Sequence, residues 1–429
     1  MKVAIVGYGV EGESAYKYFA NKGADITIFD ENEQPKFAVP EGVSLVAGKG
    51  ALDKLHGYDV VMRVPALRPE RLKTDGKVSS VVQEFFNVCP APIIGVTGSK
   101  GKGTITTLIF DMLKNAGKNP HVAGNIGIPA LDILPSVQAK DVVVLELSSF
   151  QLWDVTKSPH VAVIGMMEPE HLDVHKDVEE YMAAKASIVK WQDSSDVTVY
   201  LPGNTMTETV ALQGKGKKIP YTKNPGAHIE NGNFMIDGIV ICKTSELGIP
   251  GEHNVQNTCA AITAAWQFTQ DRQAIATAIR EFKGLDHRLK FVAEVNGVKY
   301  FDDSIGTTPG SSIAAINAFA QPKVLILGGA DKGADFTELA HHITKHDVRA
   351  VVAVGTMRTK IIEALKKAHF VNDITEFDQT SSMEQIVKKC AELALSGDVV
   401  ILSPACTSFD MFKDYKERGQ QFIAAVKQL

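Results

Sequence analysis

The sequence predicts an α/β protein of three domains, spanning about residues 1–91, 92–286 and 287–429. Three observations carry this expectation. Short apolar runs of strand length recur along the chain and end in glycine or a polar residue. Stretches of helical length separate them, the alternation that produces parallel sheets. The 429 residues also suit more than one domain, at roughly 100–200 residues each.

The first domain begins with the apolar run 2–7, followed by helical character over 12–21 and a second strand, 25–29, ending at Asp30. Another strand is expected near 59–62, and a proline-bearing stretch around 89–92 marks a boundary. The second domain opens on strand 93–97, which runs through GSKGKG into a helix from about 102 to 116. Strands 141–145 and 161–164 follow, then a less regular portion, 202–250, with β-like pieces such as FMIDGIVI. An alanine-rich helix with apolar spacing follows His253 and Asn254. The third domain starts near Asp286 and His287 and carries strands 323–327, 350–354 and 398–402, running into GG, Gly355 and SPA.

Composition narrows the function classes. The net charge is 45 − 50 = −5, so nothing points to a general nucleic-acid binder. No apolar run reaches the ~18 residues that a membrane span needs. The start, MKVAIVGYGVEGES, lacks a small-residue cleavage site and reads as a first buried strand. The five cysteines are odd in number and show no CxxC spacing. That fits reduced thiols in the cytoplasm. Cys406, in SPACTSFD, is read first as a small packed hydrophobe and only second as a nucleophile.

Two glycine loops carry the strongest chemical signal. Gly7-Tyr8-Gly9-Val10-Glu11-Gly12 is a GxGxxG after a strand, with Asp30 at the end of the next strand. Such glycines admit a diphosphate at a helix N-terminus, and the acidic residue can accept from a ribose. The motif alone does not separate a nicotinamide dinucleotide from another nucleotide diphosphate. The second loop, Gly98-Ser99-Lys100-Gly101-Lys102-Gly103-Thr104, joins a strand to a helix. Loop N–H groups, the helix dipole and the Lys102 ammonium can converge there on a triphosphate. The strict P-loop pattern fails at Val96 and at Gly103, which stands where a metal-binding hydroxyl is usual. Thr104 could take that contact after a local shift.

Oxygen ligands for magnesium are expected at Glu146, after the strand VVVL, and in the run holding Glu170, His171 and Asp173. Three further segments end strands of the third domain: Asp302-Asp303-Ser304 with Arg288 upstream, Gly328-Gly329-Ala330-Asp331-Lys332, and 403–410. Open α/β sheets bind ligands at such ends.

With these motifs in order, the chain resembles the Mur ligase family over nearly all its length. The resemblance rests on TGSKGKGT, GNIG at 124–127, LELSSFQL, EHLDVH, GEHNVQN, HRL with DDS, LGGADKG and SPACTSFDMFKDYKERG. The last two are the most specific and resemble the D-glutamate-adding members. The family implies a Rossmann-like N-terminal domain, a P-loop ATPase-like central domain and a Rossmann-like C-terminal domain. It also implies an ATP-dependent amide ligase working through an acyl phosphate, on UDP-N-acetylmuramoyl-L-alanine and D-glutamate, as a cytoplasmic monomer.

By the same resemblance Lys102, His171 and Lys185 are catalytic, with Lys185 carbamylated. Two magnesium ions are expected at Thr104, Glu146, His171 and the Lys185 carbamate. ATP would meet residues 98–104, that is Gly98, Ser99, Lys100, Gly101, Lys102, Gly103 and Thr104, together with Asn257, Arg288 and Asp303. The UDP substrate would meet Gly9, Val10, Glu11, Asp30, Asn125 and Gln151, and D-glutamate would meet Thr307, Lys332, Ser408, Phe409 and Tyr415. The chain departs from the family at Val64 and Ala66 of Val64-Pro65-Ala66, at Met166 and Glu168, at Ile305 and at Gly103. Arg63 or Arg68 is expected to compensate for the hydroxyl missing at Val64. Readings left open are an oxidoreductase, an amide ligase for other substrates and a non-catalytic scaffold.

Overall fold

The apolar runs become buried parallel strands. The computed structural model describes residues 1–125, 128–331 and 333–429, and the chain divides into two units, Met1–Phe282 and Lys283–Leu429.

The first unit opens with strands β1 (Lys2–Val6), β2 (Asp25–Asp30), β3 (Ser44–Ala47), β4 (Val60–Arg63) and β5 (Lys77–Ser79), in the order β3-β2-β1-β4-β5. All are parallel. Side chains alternate across a strand, so Val3, Ile5, Ile26 and Ile28 enter one core while Ala4, Val6 and Phe29 enter another. Strand order reverses at β1, where β2 leaves on one side and β4 on the other. That is the position at which open α/β sheets form a ligand crevice.

A second parallel sheet follows, with β6 (Ile93–Thr97), β7 (Pro120–Gly124), β8 (Val142–Glu146), β9 (Val161–Ile164), β10 (Val197–Tyr200) and β11 (Lys217–Pro220). Its order is β11-β10-β9-β6-β8-β7, so β6 is central and feeds the glycine loop. The irregular stretch resolves into an antiparallel sheet of β12 (His228–Glu230), β13 (Asn233–Ile236) and β14 (Ile239–Lys243).

The second unit holds β15 (Lys290–Val295), β16 (Val298–Asp302), β17 (Lys323–Gly328), β18 (Val348–Val354), β19 (Asp373–Phe377) and β20 (Val399–Leu402), in the order β15-β16-β20-β17-β18-β19. Only β15 runs antiparallel to its neighbour. It is a half-exposed edge of mixed polarity, which explains why its sequence carries no strand signal. Among the described residues no helix is long and apolar enough to cross a membrane.

The two parallel sheets of the first unit are tied by polar contacts. Arg63, at the end of β4, is buried and donates to both carboxylate oxygens of Asp154, each at 2.8 Å, and to the carbonyls of Phe150 and Leu67. Longer contacts reach the carbonyls of Val64 and Pro65. The planar guanidinium fork is therefore used up inside the fold. Arg68 bonds Glu70, the carbonyl of Val174 and Glu180, and lies over the Trp153 ring. Arg63 has no N–H left to replace a hydroxyl at Val64, contrary to that expectation from sequence, and Arg68 is turned toward Glu70, Val174 and Glu180. Ser14 adds a bond to Asp132 at 2.6 Å and Thr156 one to Gln83.

Removing one partner of a buried pair strands the other charge. Asp154→Ala is expected to cost about 3 kcal/mol, read as a lower urea midpoint at unchanged m-value. A loss below about 1 kcal/mol, the range of an exposed pair, contradicts this account of Arg63.

Candidate functional site

The GxGxxG loop builds a cleft at the crevice of the first sheet. Gly9 caps the helix Val10–Ala20, and Gly12 must be glycine because a Cβ there would run into the carbonyl oxygen of Gly7. The Tyr8 N–H donates to Asp30 at 3.0 Å, and Asn32 donates to the same carboxylate through its backbone and side chain. Asp30 therefore orders its own loop as well as facing the cleft. The cavity is about 490 Å³ and is lined by Gly9, Val10, Glu11, Asp30, Lys36 and Arg71 among others. That volume suits a small-molecule ligand. Val64 also lines it and closes over Gly7.

Gln151 reaches Glu11, one of the residues lining this cleft, from the helix that follows β8. It lies in the helix Ser149–Leu152, fixed by a capping box with Ser148, and donates to Glu11 at 2.7 Å. The other Glu11 oxygen is buried without a partner, and burial raises the pKa of this carboxyl. Asn125 goes elsewhere, donating to Glu146 at 2.9 Å.

The second glycine loop follows β6. Lys102, first residue of the helix Lys102–Asn115, folds back to donate to the carbonyls of Gly98 at 3.0 Å and Ser99 at 2.9 Å. The N–H groups of Ser99 and Lys100 bind the carbonyl of Met166. Donors with no intrahelical acceptor therefore begin with the first helical turn, at Lys102, Gly103 and Thr104. Ser99 Oγ is held by the Glu168 backbone and by Tyr181 at 2.6 Å. Lys100 pairs with Glu170 at 3.0 Å and more loosely with Glu168. Gly101 has φ of 81°, and a Cβ there would strike Asn257, so the Asn257 amide packs on the loop.

Lys185 is 2% exposed and donates to Gly98 O at 2.8 Å and Thr97 Oγ1 at 3.2 Å, with its amine over the Tyr181 ring. Burial drives its pKa well below the ordinary lysine value, and the neighbouring Lys102 charge pushes the same way. Glu146 is buried with one oxygen on Asn125 and the other unpartnered, an arrangement that suits a cation. His171 has φ of 57° and lies tilted against the Phe150 ring, and burial lowers its pKa. Among the described residues no three His, Cys, Asp or Glu side chains converge. A magnesium ion here would draw most of its shell from phosphates and water, as is usual for that ion. Glu170 is spent on Lys100, and Asp173 is exposed.

In the second unit, Asp303 follows β16, and its carboxylate accepts from Ser403 at 2.7 Å and from the Leu289 N–H. Burial raises its pKa to about 6, against the pull of those bonds and of Arg288. Thr307 lies in the turn after Ser304, Ser408 is buried, Phe409 is exposed, and Tyr415 starts the helix Tyr415–Val426. Ala330 and Thr407 bridge, which joins the loop after β17 to the one after β20. Lys332 lies outside the described residues, as do Ile126 and Gly127 of GNIG. Cys406 is buried, and burial pushes its thiol to about 12, so the packed-hydrophobe reading holds and the nucleophile does not.

Sequence reading missed Tyr181 and Arg418. Tyr181 lies four residues before Lys185, one helical turn, and that spacing is the signal that could have found it.

A family model for the Mur ligase middle domain matches residues 96–265, and one for the Mur ligase glutamate ligase domain matches 287–406. The chain is 39% identical over 454 residues to the UDP-N-acetylmuramoylalanine–D-glutamate ligase of Acetivibrio thermocellus, covering 100% of this chain and 96% of that one. It is 37% identical over 447 residues to the enzyme of that name from Clostridium botulinum strain Okra, covering 100% and 97%. Among solved structures it resembles UDP-N-acetylmuramate–alanine ligase of Thermotoga maritima, with TM-score 0.58 and 17% identity over 100% of this chain and 99% of that one. The MurF ligase of the same organism, in complex with ADP, gives TM-score 0.58 and 17% identity over 99% and 93%.

The Lys185 geometry has a pH consequence. The unfolded amine titrates near 10.4 and the folded one well below it. Between those values the unfolded state binds more protons, so stability rises with pH. Lys185→Met is expected to flatten the rise in urea stability as the pH climbs toward about 10.4. An unchanged slope rules out a neutral buried amine.

Proposed function

The chain belongs to the Mur ligase family, and on that premise we propose that it is the D-glutamate-adding ligase of peptidoglycan precursor synthesis, acting as a monomer in the cytoplasm. It uses ATP to join the carboxylate of UDP-N-acetylmuramoyl-L-alanine to the amine of D-glutamate. The observation that carries this reading is full-length identity of 37–39% to ligases of that name, together with a glycine loop whose lysine is aimed into it.

Three domains divide the work, about 1–91 for the UDP substrate, 92–286 for ATP and 287–429 for the amino acid. The first cleft takes the uridine diphosphate part through Gly9, Val10, Glu11 and Asp30, with Gln151 at its edge. The GxGxxG loop thus serves a nucleotide sugar, not a nicotinamide. Asn125 lies nearer the metal carboxylate. ATP phosphates sit over residues 98–104, Asn257 faces the adenine, and Arg288 and Asp303 serve the phosphates and ribose.

The alanyl carboxylate oxygen attacks the γ-phosphorus, and the bond to the β-phosphate oxygen breaks, giving an acyl phosphate and ADP. The D-glutamate amine then attacks the acyl carbon, loses a proton and expels phosphate. Lys102 turns from the Gly98 and Ser99 carbonyls to the β- and γ-phosphates and offsets charge developing there. Glu146, with its unpartnered oxygen, would hold one magnesium ion and His171 a second, with Thr104 beside the first. When bound, the ions neutralise phosphate charge. Lys185 offers a buried amine of lowered pKa, the form that adds to carbon dioxide with loss of one proton. The carbamate so formed is an oxygen ligand that an ammonium could not be. Thr307, Lys332, Ser408, Phe409 and Tyr415 hold the two carboxylates of D-glutamate.

The deciding experiment is an amino-acid panel with UDP-N-acetylmuramoyl-L-alanine and ATP, following phosphate release. D-glutamate should be used; D-alanine should be very poor because it leaves a site built for two carboxylates with charge unpaired, and L-glutamate because inversion at the α-carbon cannot present the amine and both carboxylates together. Comparable turnover with L-glutamate or a neutral amino acid defeats the assignment. Lys102→Ala should reduce phosphate release to background while circular dichroism stays unchanged, and near-normal turnover removes Lys102 from the reaction. Lys185→Ala should be inactive and regain activity with short carboxylic acids, which supply the missing oxygen. Full activity without them is decisive against the carbamate.

A further inference from the structure

Arg418 is 2% exposed, yet the acceptors it reaches are neutral oxygens. Nε donates to Ser304 Oγ at 2.9 Å, one terminal nitrogen to Ser304 O at 2.8 Å, and the other to Cys406 O at 3.2 Å. A guanidinium carries five N–H groups, so these bonds leave two further donors. Eight residues earlier, Asp410 presents the complementary deficit. One of its oxygens accepts from the Thr356 N–H at 2.8 Å and hydroxyl at 3.1 Å, while Oδ1 is buried without a partner. Both residues line one small cavity of about 10 Å³, about the space a single water requires. A buried charge without partners is costly, and one water would satisfy both groups.

We propose that Arg418 and Asp410 form a buried, water-bridged ion pair that positions the segment from Ser403 to Tyr415 for the amino-acid substrate. This rests on the reading that Ser408 and Tyr415 meet D-glutamate. The segment is fixed on both sides of Ser408. Arg418 holds Cys406, Thr356 holds Asp410, and Ser304 Oγ, itself bonded to Arg418, donates to Tyr415 O at 2.7 Å. The carbonyl of Ser408 accepts from the N–H groups of Met411 and Phe412, a turn closed between the anchors. Arg418 is a positioning residue, because it acts through Ser304, Cys406 and the water.

The test compares Arg418→Lys, Asp410→Asn and Ser408→Ala in the full chain. It follows phosphate release against D-glutamate, ATP and UDP-N-acetylmuramoyl-L-alanine in turn. Arg418→Lys and Asp410→Asn should each raise the D-glutamate KM about tenfold or more and leave the ATP KM within about twofold. The double variant should be little worse than either single one, since both remove one element. A D-glutamate KM within about twofold of wild type in Asp410→Asn, which keeps the side-chain shape if the lysine variant fails to fold, overturns the proposal. So does a high-resolution crystal structure with no water between the two groups. If Ser408→Ala raises the D-glutamate KM while the other two variants do not, the positioning role alone falls. If Ser408→Ala leaves that KM unchanged, the underlying reading falls and the pair's role with it.

Discussion

Two lysine amines converge on one carbonyl oxygen, that of Gly98, with Lys185 at 2.8 Å and Lys102 at 3.0 Å. Two ammonium ions sharing an acceptor repel, and the buried one gives up its charge more easily. That single contact sets the electrostatics of the central site. Burial lowers the Lys185 pKa first, the Lys102 charge lowers it further, and Glu170 and Glu146 pull it back up. The convergence depends on the backbone around Gly98, which passes close to Gly165 and Met166. The departure from the family at Met166 and Glu168 falls on the strand end that props the loop. There the Met166 carbonyl and the Glu168 backbone supply hydrogen bonds that require no particular side chain.

Around that centre, side-chain contacts tie the two parallel sheets of the first unit together. Arg63 joins β4 of the first sheet to Asp154 and the Phe150 carbonyl beyond the second. The Glu11–Gln151 bond joins the glycine loop after β1 to the helix that follows β8. These bonds set the first cleft relative to the elements around the glycine loop of β6. Such fixed placement is the main thing a phosphoryl-transfer enzyme can supply, because the chemistry itself asks little covalent help. Arginine suits this joint because its planar fork meets a carboxylate and several carbonyls together, which a lysine could not do.

The second unit uses the same solution at the ends of its parallel strands. Asp303, Ser403 and Thr407 follow β16 and β20, and the loop after β17 is bridged to them through Ala330. Burial dominates the electrostatics here as well. It raises the Asp303 carboxyl to about 6 and lowers the Arg418 guanidinium to about 10. Each group is held close to neutral polar atoms, where loss of one hydrogen bond is felt strongly.

The sequence by itself determined the α/β class, the strand cores, the glycine loops and the family. These depend on local pattern: unbroken apolar runs in β1, β6 and β8, buried on both faces, and glycines where a Cβ would strike backbone. It did not show that Arg63 is spent on Asp154, that Glu170 pairs with Lys100, or that Ser99 and Lys100 turn their N–H groups to Met166. Nor did it show the β15 edge, whose mixed residues satisfy no period. Those pairings were decided only by the tertiary structure. Arg63 and Asp154 lie 91 positions apart and Arg418 and Ser304 lie 114 apart. A charged residue carries no mark in the sequence of which partner will be near it once its burial forces a choice.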